Sequence, residues 1–321
     1  MTKLAPYDVN DAIELRLNTI GFVARGINTY EFVRPNGGAL PTATAGAHVD
    51  LHLPNGLIRQ YSLTRASRAP CSYIIGVKRD LASRGGSRFI FDELKVGDEL
   101  RIGAPRNNFP LHEGNSPAIL IAGGIGITPM LAMAETLSTQ RRPFELHYAC
   151  RDREEAAFLD ELAVLGNWRL HVDREAGGIL EVPDIVARAP GDAHLYCCGP
   201  KPMLEVFELA TQQLPVEQVH VEYFTPKHEA ATQGSYVVEL ARSAKTVLIP
   251  SGRTILEVLR AEGLNIPTSC EHGICGTCET AVIAGIPDHR DAILTESEKA
   301  ANKSMMICCS GSKSDRLVLD L

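Results

Sequence analysis

The sequence has no excess of positive charge, no long unbroken apolar run and no even set of cysteines. Each absence removes a class of function. Asp and Glu outnumber Lys and Arg by 39 to 32, which gives a formal net charge of −7. Nucleic-acid-binding domains are usually basic, so no nucleic-acid partner is expected. The longest apolar stretch, Ala118 to Ala134, is interrupted by Gly123, Gly124, Gly126 and Pro129. It reads as strand, tight turn and helix rather than as a membrane span. Residues 1–6 lack the apolar core of an export signal, so a cytoplasmic location is expected. Nine cysteines, an odd number without an export signal, do not make a disulfide framework. There is no internal repeat and no low-complexity tract.

What is present is ordinary globular composition in a chain of 321 residues, too long for one usual domain. Residues 1–112 carry short alternating segments such as His48 to Leu53 and Tyr73 to Val77, separated by turn signals such as Pro54-Asn55-Gly56. That pattern predicts an all-β domain, barrel or sandwich. From residue 113 to about 226 the period changes. Strands are expected at Ala118–Ala122, Phe144–Ala149, Trp168–Val172, His194–Cys198 and Val219–Tyr223. Helices are expected from Pro129, over Glu155–Leu165 and from Pro202. Such alternation predicts a parallel sheet wrapped by helices. A polar linker over 227–234 leads to a third domain, 235–321, with strands at Tyr236–Leu240 and Thr246–Ile249. A helix at Thr254–Ala261, a cysteine-rich loop and a closing strand at 317–319 complete it.

The loop reads Cys270-Glu271-His272-Gly273-Ile274-Cys275-Gly276-Thr277-Cys278, with Cys308 further on. A C-x4-C-x2-C run with a distant fourth cysteine is the spacing of a plant-type [2Fe–2S] cluster. Three of four thiolates must come from one tight loop, and Gly273 and Gly276 let the backbone curl around the irons. Zinc is the competing reading, although it is more often held by paired C-x2-C knuckles. Cys309, beside Cys308, is a second candidate for the fourth ligand. The remaining cysteines read as small buried hydrophobes.

Two glycine-bearing turns close strands of the second domain. Gly123-Gly124-Ile125-Gly126-Ile127-Thr128-Pro129 lies between strand and helix and offers N–H groups to a pyrophosphate. Cys198-Gly199-Pro200-Lys201-Pro202-Met203 closes a later strand, and ligands bind at the carboxyl ends of such strands. Arg151 and Arg153 suit a 2′-phosphate while Asp152 and Asp173 oppose it, which favours NADH over NADPH. In the first domain, Arg59-Gln60-Tyr61-Ser62 and Arg84-Gly85-Gly86-Ser87 have the makings of a phosphate and ring-edge site, with the glycine N–H groups as a nest.

Taken together these motifs resemble the ferredoxin–NADP reductase superfamily. More narrowly, the whole chain resembles the phthalate dioxygenase reductase family. The resemblance implies an antiparallel flavin-binding β-barrel, a doubly wound parallel-sheet nicotinamide domain and a β-grasp ferredoxin domain. It also implies FMN rather than FAD, with Arg84, Gly85, Gly86 and Ser87 at its phosphate. Arg59, Tyr61 and Ser62 would contact the FMN, with Val77 and Lys78 along the ring. Thr128 would lie near flavin and nicotinamide, and Phe224, in Glu222-Tyr223-Phe224, by the isoalloxazine. Gly123, Gly124, Gly126, Cys198, Gly199 and Pro200 would bind NADH, and Cys270, Cys275, Cys278 and Cys308 the irons. Gly311 departs from the family pattern, in which arginine often follows the fourth cysteine; this bears on partner contacts and not on the cluster.

The expected function is hydride transfer from NADH to FMN, then single electrons through the [2Fe–2S] cluster to a separate Rieske-type non-haem iron oxygenase. No 2-His-1-carboxylate iron site is identifiable in this chain, so oxygen chemistry is assigned to the partner. The alternatives are a reductase for another soluble acceptor and an NADH-responsive redox sensor. Asp288-His289-Arg290-Asp291 reads as a structural ion network rather than a docking patch.

Overall fold

The computed structural model describes residues 12–80 and 85–321. The chain forms two compact units, the first ending at Glu222 and the second running from Tyr223 to Leu321. Among the described residues no helix is long and apolar enough to cross a membrane.

The first unit opens with six antiparallel strands: β1 (Ile13–Ala24), β2 (Ile27–Val33), β3 (His48–His52), β4 (Ile58–Ser62), β5 (Ser72–Lys78) and β6 (Glu99–Ile102). Their order is β4-β3-β6-β1-β2-β5, and a bridge between Leu63 and Ile75 joins the two edges into a barrel. Closure removes the unpaired strand edges that an open sheet would leave. Alternate residues such as Leu15, Leu17, Val49, Leu51, Tyr73, Ile75 and Val77 fill the interior, and helix α1 (Gly86–Asp92) adds Ile90 to that core. Asp50 is a buried charge on β3. Its carboxylate pairs with Arg106 at 2.7 Å and accepts from the Gln60 amide at 3.0 Å. Such pairing and hydrogen bonding are what a carboxylate needs when it leaves water.

Five parallel strands follow: β7 (Ala118–Gly123), β8 (Phe144–Cys150), β9 (Trp168–Val172), β10 (His194–Cys198) and β11 (Val219–Glu222), in the order β11-β10-β7-β8-β9. The chain begins in the middle, winds out to β9, then crosses back to β10 and out to β11. Right-handed crossovers in opposite directions make the sheet doubly wound, with its switch point between β7 and β10. β7, at the centre, is an unbroken apolar run, as a strand covered on both faces requires, while the other strands carry polar residues such as Glu145, Arg169 and His220. The connecting helices are α2 (Ile127–Thr139), α3 (Leu159–Ala163), α4 (Asp173–Ala176), α5 (Val182–Arg188) and α6 (Lys201–Ala210). Ala24, Ile27, Ala45 and Phe109 join the apolar cluster of this sheet, so barrel and sheet share one continuous core.

The helix expected over Glu155–Leu165 shrinks to Leu159–Ala163. Ala156 is extended and Phe158 takes the left-handed region at φ 61°. The Phe158 ring is buried against Gly76 of β5, and that contact bends the backbone out of the helix. Helices α4 and α5 have no counterpart in the sequence reading.

The second unit is a mixed five-stranded sheet of β12 (Tyr236–Leu240), β13 (Lys245–Ile249), β14 (Glu279–Ala284), β16 (Ser304–Met306) and β18 (Arg316–Leu319), ordered β13-β12-β18-β14-β16. A small ladder pairs β15 (Pro287–Asp288) with β17 (Gly311–Ser312), and helix α8 spans Glu296–Ala301. Helix α7 (Ile255–Ala261) buries Ile255, Leu256, Val258 and Leu259 in this unit's core, which gives the β-grasp arrangement. The helix start is written in the sequence. Thr254 Oγ1 accepts from the Glu257 N–H, and the Glu257 carboxylate accepts from the Thr254 N–H. This capping box satisfies two N–H groups that would otherwise lack partners. Thr254→Ala should therefore lower the stability of this unit by about 1 kcal/mol. The measurement is the midpoint of its urea unfolding in the full chain.

Candidate functional site

The two glycine turns meet at the switch point. Gly126 packs so tightly on the turn after β10 that a Cβ there would stand 2.1 Å from the Cys198 carbonyl oxygen. Gly199 packs on Gly123 less tightly, where a Cβ would be 3.1 Å from the Gly123 Cα. The residues predicted to bind NADH, namely Gly123, Gly124, Gly126, Cys198, Gly199 and Pro200, are thus brought into one place. Thr128 follows on α2, where its Oγ1 donates to the Ile125 carbonyl at 2.9 Å and its methyl packs on Gly76 of the barrel.

From the barrel side, β4 presents Arg59, Tyr61 and Ser62. The Arg59 side chain crosses the first residue of α1; a Cβ on Gly86 would lie 2.6 Å from its Nε. A guanidinium is therefore held against the Gly85-Gly86-Ser87 turn, whose Gly85 has φ 92°. Ser87 Oγ accepts from the Asp80 N–H at 3.2 Å. Arg84 lies outside the described residues. Three residues along β4, about 10 Å at strand rise, Ser62 is buried and donates to the Glu222 carboxylate at 3.4 Å. Cys198 Sγ points to the same carboxylate oxygen at 3.8 Å. Barrel, β10 and β11 thus converge on Glu222. The arrangement gives a basic turn at one end of β4 and an enclosed carboxyl, thiol and hydroxyl at the other, within reach of a ribityl-phosphate arm.

The two predicted contacts on β5 close its end: the Val77 side chain faces the barrel core, which leaves its backbone for any ring, and the Lys78 ammonium pairs with Glu155 at 3.0 Å. It belongs to a set of ion pairs tying barrel to sheet, in which Arg25 holds Glu154 at 2.7 Å, Asp152 at 2.9 Å and Glu155 at 3.3 Å. Phe224 lies in the second unit and is 38% exposed.

In the second unit Cys270, Cys275, Cys278 and Cys308 are all buried. The His272 N–H donates to Cys270 Sγ, and Cys275 Sγ donates to Thr277 Oγ1, both at 3.3 Å. Neighbouring thiols pull two of the four down, Cys270 acting on Cys275 and both Cys278 and Cys309 on Cys308. Among the described residues no three His, Cys, Asp or Glu side chains converge on one point. Four buried thiols at C-x4-C-x2-C spacing with a distant fourth are the donor set of a plant-type [2Fe–2S] cluster. Cys309 Sγ is also buried beside Cys308, but it is turned toward the Met306 carbonyl at 3.7 Å and toward Gly273. Gly273, at φ 69°, leaves the space that this sulfur occupies; a Cβ there would be 2.4 Å from it. Asp291 anchors the following loop. It is fully buried and accepts from the Ile293 and Leu294 N–H groups at 3.1 and 2.8 Å, while Arg290 pairs with Asp288 at 2.7 Å.

Residues 238–312 match the family of 2Fe-2S iron-sulfur cluster binding domains, and residues 120–208 match the oxidoreductase NAD-binding domain. Phenoxybenzoate dioxygenase subunit beta of Ectopseudomonas oleovorans is 47% identical over 311 residues, 96% of this chain and 97% of that protein. Vanillate O-demethylase oxidoreductase of Pseudomonas sp. (strain HR199 / DSM 7063) is 44% identical, covering 96% of this chain and 100% of its own. The solved structure of phthalate dioxygenase reductase, described as a modular structure for electron transfer from pyridine nucleotides to [2Fe–2S], superposes with a TM-score of 0.74. It is 38% identical and the match covers 97% of this chain and 98% of that one. The chain belongs to the phthalate dioxygenase reductase family.

As a member of that family it is an NADH-dependent iron–sulfur oxidoreductase, and its four buried thiols are the donor set such a cluster needs. One residue of the reductase site escaped the sequence reading. Glu222 was noted only as part of a family segment; its meeting with Ser62, 160 residues earlier, leaves no local signal. Burial pushes its carboxyl up to about 8. A carboxyl raised in the folded state binds its proton more tightly there than in the unfolded chain, so it costs stability as pH climbs from about 4.3 toward 8. Cofactor-free Glu222→Gln protein should therefore melt above the parent at pH 8, with the gap closing by pH 5. Thermal melts across that range measure it.

Proposed function

We propose that the chain is the reductase component of a multicomponent oxygenase, oxidising NADH and delivering electrons one at a time to a separate Rieske-type non-haem iron oxygenase. Contact with that oxygenase is transient and takes place in the cytoplasm. The observation that carries this reading is the convergence of barrel Ser62 with Cys198 and Glu222 at the switch point, in a chain that also holds four buried thiols at the cluster spacing. The relatives, a dioxygenase subunit and a demethylase oxidoreductase, support an oxygenase as the acceptor.

The residues divide the work. Arg59 with Gly85, Gly86, Ser87 and Arg84 holds the phosphate of FMN, and Tyr61, Ser62, Val77 and Lys78 lie along its ring. The turns at Gly123–Gly126 and Cys198–Pro200 hold the dinucleotide through backbone N–H groups. Thr128 stands where ring and nicotinamide meet, positioning them and excluding water. Cys270 and Cys275 hold one iron, Cys278 and Cys308 the other. Bound FMN supplies the conversion of a two-electron hydride into single electrons, which the cluster relays. The chain divides into a flavin barrel over 1–112, a nicotinamide domain over 113–226, a linker over 227–234 and a cluster domain over 235–321. The position of a separate sheet inside each of the three domains supports that division.

Anaerobic titration of the purified protein with NADH should bleach the flavin band and then develop the EPR signal of a reduced [2Fe–2S] cluster. Flavin bleaching with no cluster signal, after reconstitution with iron and sulfide, would remove the electron-relay reading. The ligand set has its own test in iron and sulfide content. Cys308→Ser should lose the cluster, while Cys309→Ser should keep both iron and visible spectrum. The reverse result would make Cys309 the ligand.

A further inference from the structure

We infer that Glu175 sets this reductase's preference for NADH over NADPH by holding Arg153 away from a 2′-phosphate. The inference rests on the reading of the chain as a nicotinamide-dependent reductase and names the residue that selects its substrate.

A dinucleotide bound at a switch point lies across it, with its pyrophosphate on the first glycine turn. Cys198 and Glu222 mark the nicotinamide side, beyond β10. The adenosine half therefore extends the other way, over the carboxyl ends of β8 and β9. These strands are parallel neighbours, with Cys150 paired to Val172 at their ends. The rim just beyond consists of Arg151–Glu155 after β8 and of α4, which starts at Asp173, after β9.

That rim contains three guanidiniums, and two are already engaged by carboxylates on the same rim. Arg153 and Glu175 form a two-pronged pair, Nε to Oε1 at 2.8 Å and Nη2 to Oε2 at 2.6 Å. Arg174 runs the opposite way, to Asp152 at 2.7 Å. Asp152 is fixed further by Arg25 from the barrel at 2.9 Å, so it serves the packing of the unit as well as the rim. Glu175 has no such second duty: its side chain is half exposed and its ion-pair partner is Arg153.

A fork-shaped guanidinium binds carboxylate and phosphate with the same geometry. While Glu175 occupies that fork, a 2′-phosphate meets a carboxylate instead of a free donor, and like charges repel. The 2′-hydroxyl of NADH carries no charge and suffers no such conflict. Exposed ion pairs add little to stability, so the pair can be broken without unfolding the domain.

The test compares initial rates of NADH and NADPH oxidation by the full-length holoenzyme, with ferricyanide as acceptor. Glu175→Gln should raise kcat/KM for NADPH about tenfold, the range of one hydrogen bond to a charged group. The gain should appear in KM, and the NADH value should stay near the parent's. Adding Arg153→Gln to that variant should cancel the gain. An unchanged NADPH value in Glu175→Gln would overturn the inference. So would a gain that survives loss of Arg153, or an equal fall with both nucleotides. A parent enzyme that oxidises neither nucleotide would instead overturn the reductase reading beneath it.

Discussion

Two backbone turns pressed together, after β7 and after β10, are the constraint on which the nicotinamide half of the molecule rests. Gly126 leaves no room for a Cβ between these turns, and Gly199 packs on Gly123 beside it. That closeness narrows the switch point to a crevice walled by peptide groups, whose N–H donors suit a pyrophosphate. It also fixes where α2 begins, and so places Thr128 against Gly76 of the barrel. A side chain at Gly126 would push the turns apart and carry β10 and β11 away from β4. Glu222 would then lose Ser62.

The first unit is held as one body by means that differ from place to place. At the centre a shared apolar core joins Ile27, Ala45 and Phe109 of the barrel to the sheet. At the rim, Arg25 and Lys78 reach across to Asp152, Glu154 and Glu155. The core supplies most of the free energy, since exposed ion pairs contribute little. The rim pairs act instead as a register, holding the segment after β8 in the position where the adenosine end of a dinucleotide would arrive. Asp152, gripped from the barrel and from α4, is shared between packing and recognition. In the second unit the comparable constraint is the packing of Cys309 against Gly273.

Much of this was legible along the chain. Strands alternating with helices read correctly as a parallel sheet, because a crossover helix is what joins parallel neighbours. The helix at Thr254–Ala261 was also legible, and its start is local because a capping box joins residues three apart. Local logic failed where a distant contact overrode it. The amphipathic run from Glu155 looks helical, yet Phe158 turns inward to meet Gly76 and breaks it. The Lys78 ammonium pairs with Glu155, 77 residues on, a contact with no local signal.

The sequence by itself determined the order of the three domains, the switch-point turns and the cluster spacing, since each depends on residues a few positions apart. Only the tertiary structure decided that Glu222 meets Ser62 and Cys198, that Cys309 packs on Gly273, and that Glu175 holds Arg153. These contacts join segments from 22 to 160 residues apart. No short-range pattern encodes them; they arise when buried cores bring strand ends together and leave particular polar groups facing one another.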